Sequence, residues 1–179
     1  VYGPEQPVPS GTPAAATGQA TYFKSNSHIM DGVYAGIPGL KLEGYAFLLD
    51  LSAPGYATLP AQQLATSKLS TATLGGRGDY GFGLADGITA KLSAEYAHQS
   101  GYADNPLSIS LNYWLGEGSV TWRGLSGLAG YEVMEGDGTI GFATPLATLH
   151  AFNGWADMFL TTPVNGLKDM YFKGSYSMP

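Results

Sequence analysis

The sequence predicts an all-β protein, an antiparallel up-and-down transmembrane β-barrel or a part of one, and three observations lead there. Charged residues make up 12% of the 179 residues, alongside 26 Gly, 12 Tyr and no Cys, whereas a soluble chain carries about a quarter charged. Several segments alternate with a period of two over lengths beyond the ~5–6 residues of an ordinary globular strand. The mean hydropathy is close to zero, as in a chain whose apolar and polar residues alternate, and no apolar run reaches the ~18 residues of a membrane helix.

Taken in order, residues 1–18 (VYGPEQPVPSGTPAAATG) are rich in Pro, Gly and Ala and are expected to form a loop or disordered arm. They lack the basic start and apolar stretch of a secretory signal. The remainder, 19–179, is expected to be strands and their connections. Weaker strand signals cover 18–25, 29–37 and 40–51, the last two joined at Pro38-Gly39. Residues 52–67 read as a second loop. The weak strand 69–82 contains Gly75-Gly76-Arg77-Gly78. With no strand-to-helix transition and no following Lys-Ser/Thr, these glycines mark close approach of neighbouring strands, not a phosphate loop.

The clearest strand is 88–99, entered through the hairpin signal Asp86-Gly87. Ile88, Ala90, Leu92, Ala94 and Tyr96 fall on one face, and Thr89, Lys91, Ser93, Glu95 and Gln99 on the other. In 107–115, Leu107, Ile109, Leu111, Tyr113 and Leu115 are expected to share an apolar face, with Trp114 breaking the pattern and a bulge near 116–118. A turn at 123–127 precedes a weaker strand over 128–135. In 167–178, Met170, Phe172, Gly174 and Tyr176 oppose Asp169, Lys173 and Ser175. About eight strands result. A long loop is expected at 142–163, with a short helix around 146–159 as the one helical candidate. A lipocalin-like barrel or a large soluble sandwich would also alternate. The strand lengths favour the membrane barrel, since a tilted spanning strand needs about 9–11 residues.

Few catalytic or metal signals exist. His28, His98 and His150 lie in separate segments without HxH or HxxxH spacing, and no nucleophile elbow is present, so no enzyme and no cofactor is expected. Glu132, Glu135 and Asp137 form an acidic cluster without the spacing of a calcium loop, and read as solvated loop carboxylates. Asp104-Asn105-Pro106 reads as a turn. A net charge of −6 with 8 Lys plus Arg argues against nucleic acid as a partner.

The segments LNYWLGE (111–117), GYEVMEGDG (130–138), FATPLATLHAFNGWADMFLTTP (142–163) and NGLKDMY (165–171) resemble the alginate-export family of proteobacterial outer-membrane proteins. MDGVYAGIPGLKLEGYAFLLDL (30–51) and AEYAHQS (94–100) look like that family's preceding strands, so the resemblance covers most of 30–177. It implies a Gram-negative outer-membrane channel, set in lipid and lipopolysaccharide, that passes polysaccharide or small polar solutes. The alternative is a non-conducting structural barrel within a larger outer-membrane assembly of partner proteins. The chain is short for the family and has no terminal strand ending in Phe, so it is expected to be a portion of a longer barrel.

Lys41, Arg77, Lys91, Glu95, Asp169 and Lys173 are the expected lumen-facing residues. With Glu43 and Asp79 they make a nearly neutral mixture, less basic than a polyanion pathway calls for. The 142–163 loop, through His150, Phe152, Trp155, Asp157 and Phe159, is the expected constriction, or else a self-packed plug.

Overall fold

The computed structural model describes residues 25–51, 68–144 and 161–177. The expected arm at 1–18, the strand at 18–25 (Ser25 apart) and all five constriction-loop residues, His150, Phe152, Trp155, Asp157 and Phe159, lie outside the described residues.

Alternation produces the strands the residues call for. They are β1 (His28–Ile37), β2 (Leu40–Leu49), β3 (Thr71–Ala85), β4 (Ile88–Gly101), β5 (Ser110–Trp122), β6 (Leu125–Met134) and β7 (Leu167–Tyr176). Each pairs antiparallel with the next, giving one seven-stranded up-and-down sheet in chain order. Among the described residues the sheet is open: β1 and β7 are its edges and do not pair with each other. Of the expected up-and-down barrel, the structure therefore shows an antiparallel up-and-down sheet that is not closed. Among the described residues there are seven strands where about eight were expected, because the extra segment, 18–25, lies outside the described residues except for Ser25.

The connections alternate in length. β1–β2, β3–β4 and β5–β6 close through Pro38-Gly39, Asp86-Gly87 and Arg123-Gly124 at one end. The strand ends joined by residues 50–70, 102–109 and 135–166 all lie at the other end of the sheet. At the β5–β6 turn, Arg123 (φ 45°) and Gly124 (φ 83°) both take the left-handed conformation of a two-residue primed turn, whose twist matches the strands. The Arg123 guanidinium lies 5.3 Å from the centre of the Trp122 ring, which helps hold a non-glycine residue there.

The register divides the sheet into two faces. The row Leu40, Tyr80, Leu92, Gly118, Ala129, Phe172 crosses six strands on one face, and the row Glu43, Arg77, Glu95, Leu115, Glu132, Asp169 crosses the same six on the other. The first face is apolar yet uncovered: Leu92 is 54% exposed, Trp114 50% and Phe172 72%. Aromatic residues are frequent on it. On β5 the aromatics Trp114 and Trp122 stand at the two ends of this face with Gly116, Gly118 and Val120 between them, Tyr96 pairs with Trp114, and Tyr34, Tyr80, Phe82, Tyr131, Phe172 and Tyr176 are spread over the rows of the other strands.

The small core sits on the opposite, polar face at the long-connection end. Ala97, Ile109, Leu111, Met134 and Phe142 form it, with Phe142 carried there by residues 135–144 folding back across the sheet. Two expectations for β5 change accordingly. Leu111 and Tyr113 lie on the polar face under Phe142, while Trp114 begins an apolar face that continues through Val120 to Trp122. No bulge occurs at 116–118, since β5 stays in unbroken register with both neighbours. The irregularities lie beside turns instead, between Tyr34 and Ile37 and between Gly83 and Ala85. The physical reason is that a covering segment makes both faces of β5 apolar at that end, which in one dimension imitates a phase shift.

Candidate functional site: the polar face of the sheet

Lys41, Arg77, Lys91, Glu95, Asp169 and Lys173, expected together from alternation, do share one face. Arg77 is its hub. The guanidinium reaches Asp79 at 3.3 Å, Glu95 at 3.1 Å and Glu117 at 3.3 Å, so one cation on β3 ties together carboxylates of β3, β4 and β5. Lys91 adds a 3.0 Å ion pair to Asp79, and the Ser93 hydroxyl donates to the same carboxylate at 2.6 Å. Lys41 pairs with Glu43 at 2.8 Å on its own strand. Lys173 stands apart, 5.0 Å from the centre of the Tyr171 ring.

Three tyrosines extend this network across strands. Tyr45 donates to Glu95 at 2.6 Å, Tyr171 to Glu117 at 2.7 Å and Tyr113 to Glu132 at 2.7 Å. Two of them need a glycine beside them. A Cβ on Gly75 would stand 2.3 Å from the Tyr45 ring, and one on Gly130 would stand 2.4 Å from the Tyr171 ring. The ring lies flat over the glycine and its hydroxyl reaches the following strand, a filling of the sheet surface that no larger residue permits. The expectation that Gly75 marks close approach is met here.

Toward the long connections, the polar face hollows into a space of about 520 Å³. Asp31, Glu43, Glu95 and Glu132 line it with Tyr45, Tyr113, Phe47 and Phe142. Its upper rim is the 135–144 segment, fixed by buried Gln99. That side chain donates to the Ala143 carbonyl at 2.8 Å and to the Thr73 hydroxyl at 2.8 Å, and accepts from the Ala143 N–H at 2.7 Å. An amide side chain thus substitutes for a paired strand. The returning chain is held against the same segment: Gly138 N–H donates to the Val164 carbonyl at 2.8 Å, and a Cβ on Gly136 or Gly141 would strike the backbone of residues 162–166.

The acidic cluster keeps its expected character at Asp137, an exposed loop carboxylate, and departs from it at Glu132 and Glu135. Glu132 is a β6 residue engaged with Tyr113. Glu135 accepts from both the backbone N–H and the side-chain amide of Asn112, each at 2.8 Å. Asp137 accepts from the Thr139 and Ile140 N–H groups at 2.8 and 2.9 Å, and the Ile140 and Thr139 amides hold its carboxyl below the usual carboxylate range. Glu132 and Glu135 thus tie β6 and the folded-back segment to β5, a role that depends on chain reversal and leaves no mark in linear spacing. Asn105 keeps its expected turn and also clamps the 50–70 connection, donating to the Ser70 carbonyl at 2.6 Å.

Reading by alternation missed Asp31, Tyr45, Tyr113, Glu117 and Tyr171. Tyr45 and Tyr171 were legible as odd-numbered neighbours of Lys41 and Lys173; their aromatic character disguised a polar role. Among the described residues, no group of His, Asp and Glu is placed to hold a metal ion. Comparison with protein-family models, with curated proteins and with solved structures finds no match to this chain.

Proposed function

We propose that this chain forms part of the wall of a bacterial outer-membrane β-barrel whose lumen passes small polar solutes, with cations preferred over anions. The observation that carries the reading is the division of one sheet into an exposed apolar face rich in aromatics and a polar face knit by ion pairs. A soluble sheet covers its apolar face with a second layer; a membrane sheet leaves it for lipid and lipopolysaccharide, with aromatic girdles at both interfaces. From Trp114 to Trp122, β5 extends about 26 Å at roughly 3.3 Å per residue, close to the ~25 Å apolar band of such barrels before tilt. Short turns at one end and long connections at the other follow the periplasmic and extracellular ends of outer-membrane barrels.

The cation preference comes from the polar face. Asp31, Glu43, Asp79, Glu95, Glu117, Glu132 and Asp169 stand there against Lys41, Arg77, Lys91 and Lys173. Carboxylates lining a pore attract cations and repel anions, so this wall suits cationic or neutral small solutes better than the anionic polysaccharide that the resemblance to alginate-export proteins would imply. The test is the reversal potential of single channels of the full-length protein in planar bilayers under a potassium chloride gradient. A potential on the potassium side is expected, and one on the chloride side contradicts the cation preference.

The second reading, a non-conducting barrel serving a larger assembly of proteins, is favoured by the placement of residues 135–144 across the polar face. Protein that inserts as a heat-modifiable barrel yet never conducts supports it over the first.

A further inference from the structure

We propose that the free edge of β7 is taken by a β-strand antiparallel to it whose residue facing Asp169 across the ladder is Lys or Arg. The inference rests on the reading of this sheet as part of a membrane barrel, and within it strand direction and charge lead to this occupant whether or not the barrel conducts.

Direction comes first. His28 of β1 and Leu167 of β7 lie at the long-connection end, and Ile37 and Tyr176 lie at the short-turn end, so the two edge strands run the same way. Joining β7 to β1, within one chain or to a copy related by rotation about the barrel axis, would make a parallel pair in a sheet that is otherwise antiparallel throughout. An unpaired edge is not viable in lipid either, because its N–H and C=O groups have no water to bond. The ten residues of β7 therefore need a neighbour that runs against them.

Charge then describes that neighbour. Glu132 and Asp169 are direct cross-strand partners on the polar face. Like charges directly opposite each other destabilise a pair of strands. Deeper in the sheet the same crowding is relieved by Arg77, which stands between Glu95 and Glu117. At the β7 edge nothing described does this. Glu132 accepts the Tyr113 hydroxyl, whereas Asp169 makes no hydrogen bond or ion pair with another described residue. On the same face β1 offers Ile29, Asp31 and Val33, so it would bring another negative charge. The fitting occupant brings a cation to Asp169 and continues on its other face the apolar surface of Met170 and Phe172.

The full-length protein in outer membranes supplies the test, with the photoreactive residue p-benzoylphenylalanine in place of Phe172. Illumination followed by peptide mass spectrometry is expected to join β7 to one peptide of period-two pattern, outside 28–37, with Lys or Arg in register with Asp169. A cross-link into 28–37 of the same or a second copy, a partner peptide with no basic residue there, or attachment to lipid alone overturns the proposal. Asp169→Asn gives an independent readout. With a facing cation, it lowers the melting temperature of the detergent-extracted barrel, and Asp169→Glu restores it. Without one, removal of the repulsion from Glu132 leaves the melting temperature unchanged or raises it, which also overturns the proposal.

Discussion

Tyrosine over glycine is the unit from which the polar face is made. Tyr45 covers Gly75 to reach Glu95, and Tyr171 covers Gly130 to reach Glu117, so both tyrosines lead through glutamates to Arg77. Gly130→Val would place side-chain atoms where the Tyr171 ring lies and break its 2.7 Å bond to Glu117. Overpacking of this kind costs about 1–3 kcal/mol. The expected outcome is a lower melting temperature for the protein in detergent. Gly127→Val provides the comparison, because a Cβ there meets nothing within 4 Å, and it is expected to be close to neutral. The ion-pairing residues were legible one by one from alternation, since period two assigns a face. Which tyrosine lies over which glycine was not, because those partners are set by register between strands.

The strands themselves differ in how openly the residues announce them. In β4 the alternation runs unbroken from Ile88 to Tyr96, and the strand appears with its faces as expected. In β5, Leu111 and Tyr113 are apolar because Phe142 covers them, and the residues around them cannot state what lies above. Gln99 belongs to the same problem: it reads as one more polar residue of β4, yet it holds the backbone of Ala143 from two sides. Gln99→Leu removes those bonds together with the one to Thr73. Leaving buried backbone groups without partners costs about 1–3 kcal/mol. Hydrogen exchange is expected to quicken in 135–144 while the β3–β4 ladder keeps its protection. Equal loosening of both would assign Gln99 to the sheet as a whole.

At the level of the whole molecule, the all-β antiparallel class was legible because period-two alternation marks strands and short turn signals join each to its neighbour. Closure of the sheet was not legible, since alternation describes each strand and says nothing of how many share a ring. The open edges at β1 and β7 are the structural consequence. Net charge of the polar face also needed three dimensions: Glu117, Glu132 and Asp31 join the expected residues only through register, and they turn a nearly neutral set into an acidic one. The central claim is that one face of this sheet meets lipid and the other meets water. The chain has no Cys, so single cysteines can be placed at each position from Lys91 to Tyr96 of the full-length protein in intact outer membranes. Labelling by a water-soluble maleimide is the measurement. Reaction at 91, 93 and 95 with protection at 92, 94 and 96 is the expected result, and equal labelling of both sets would contradict the claim.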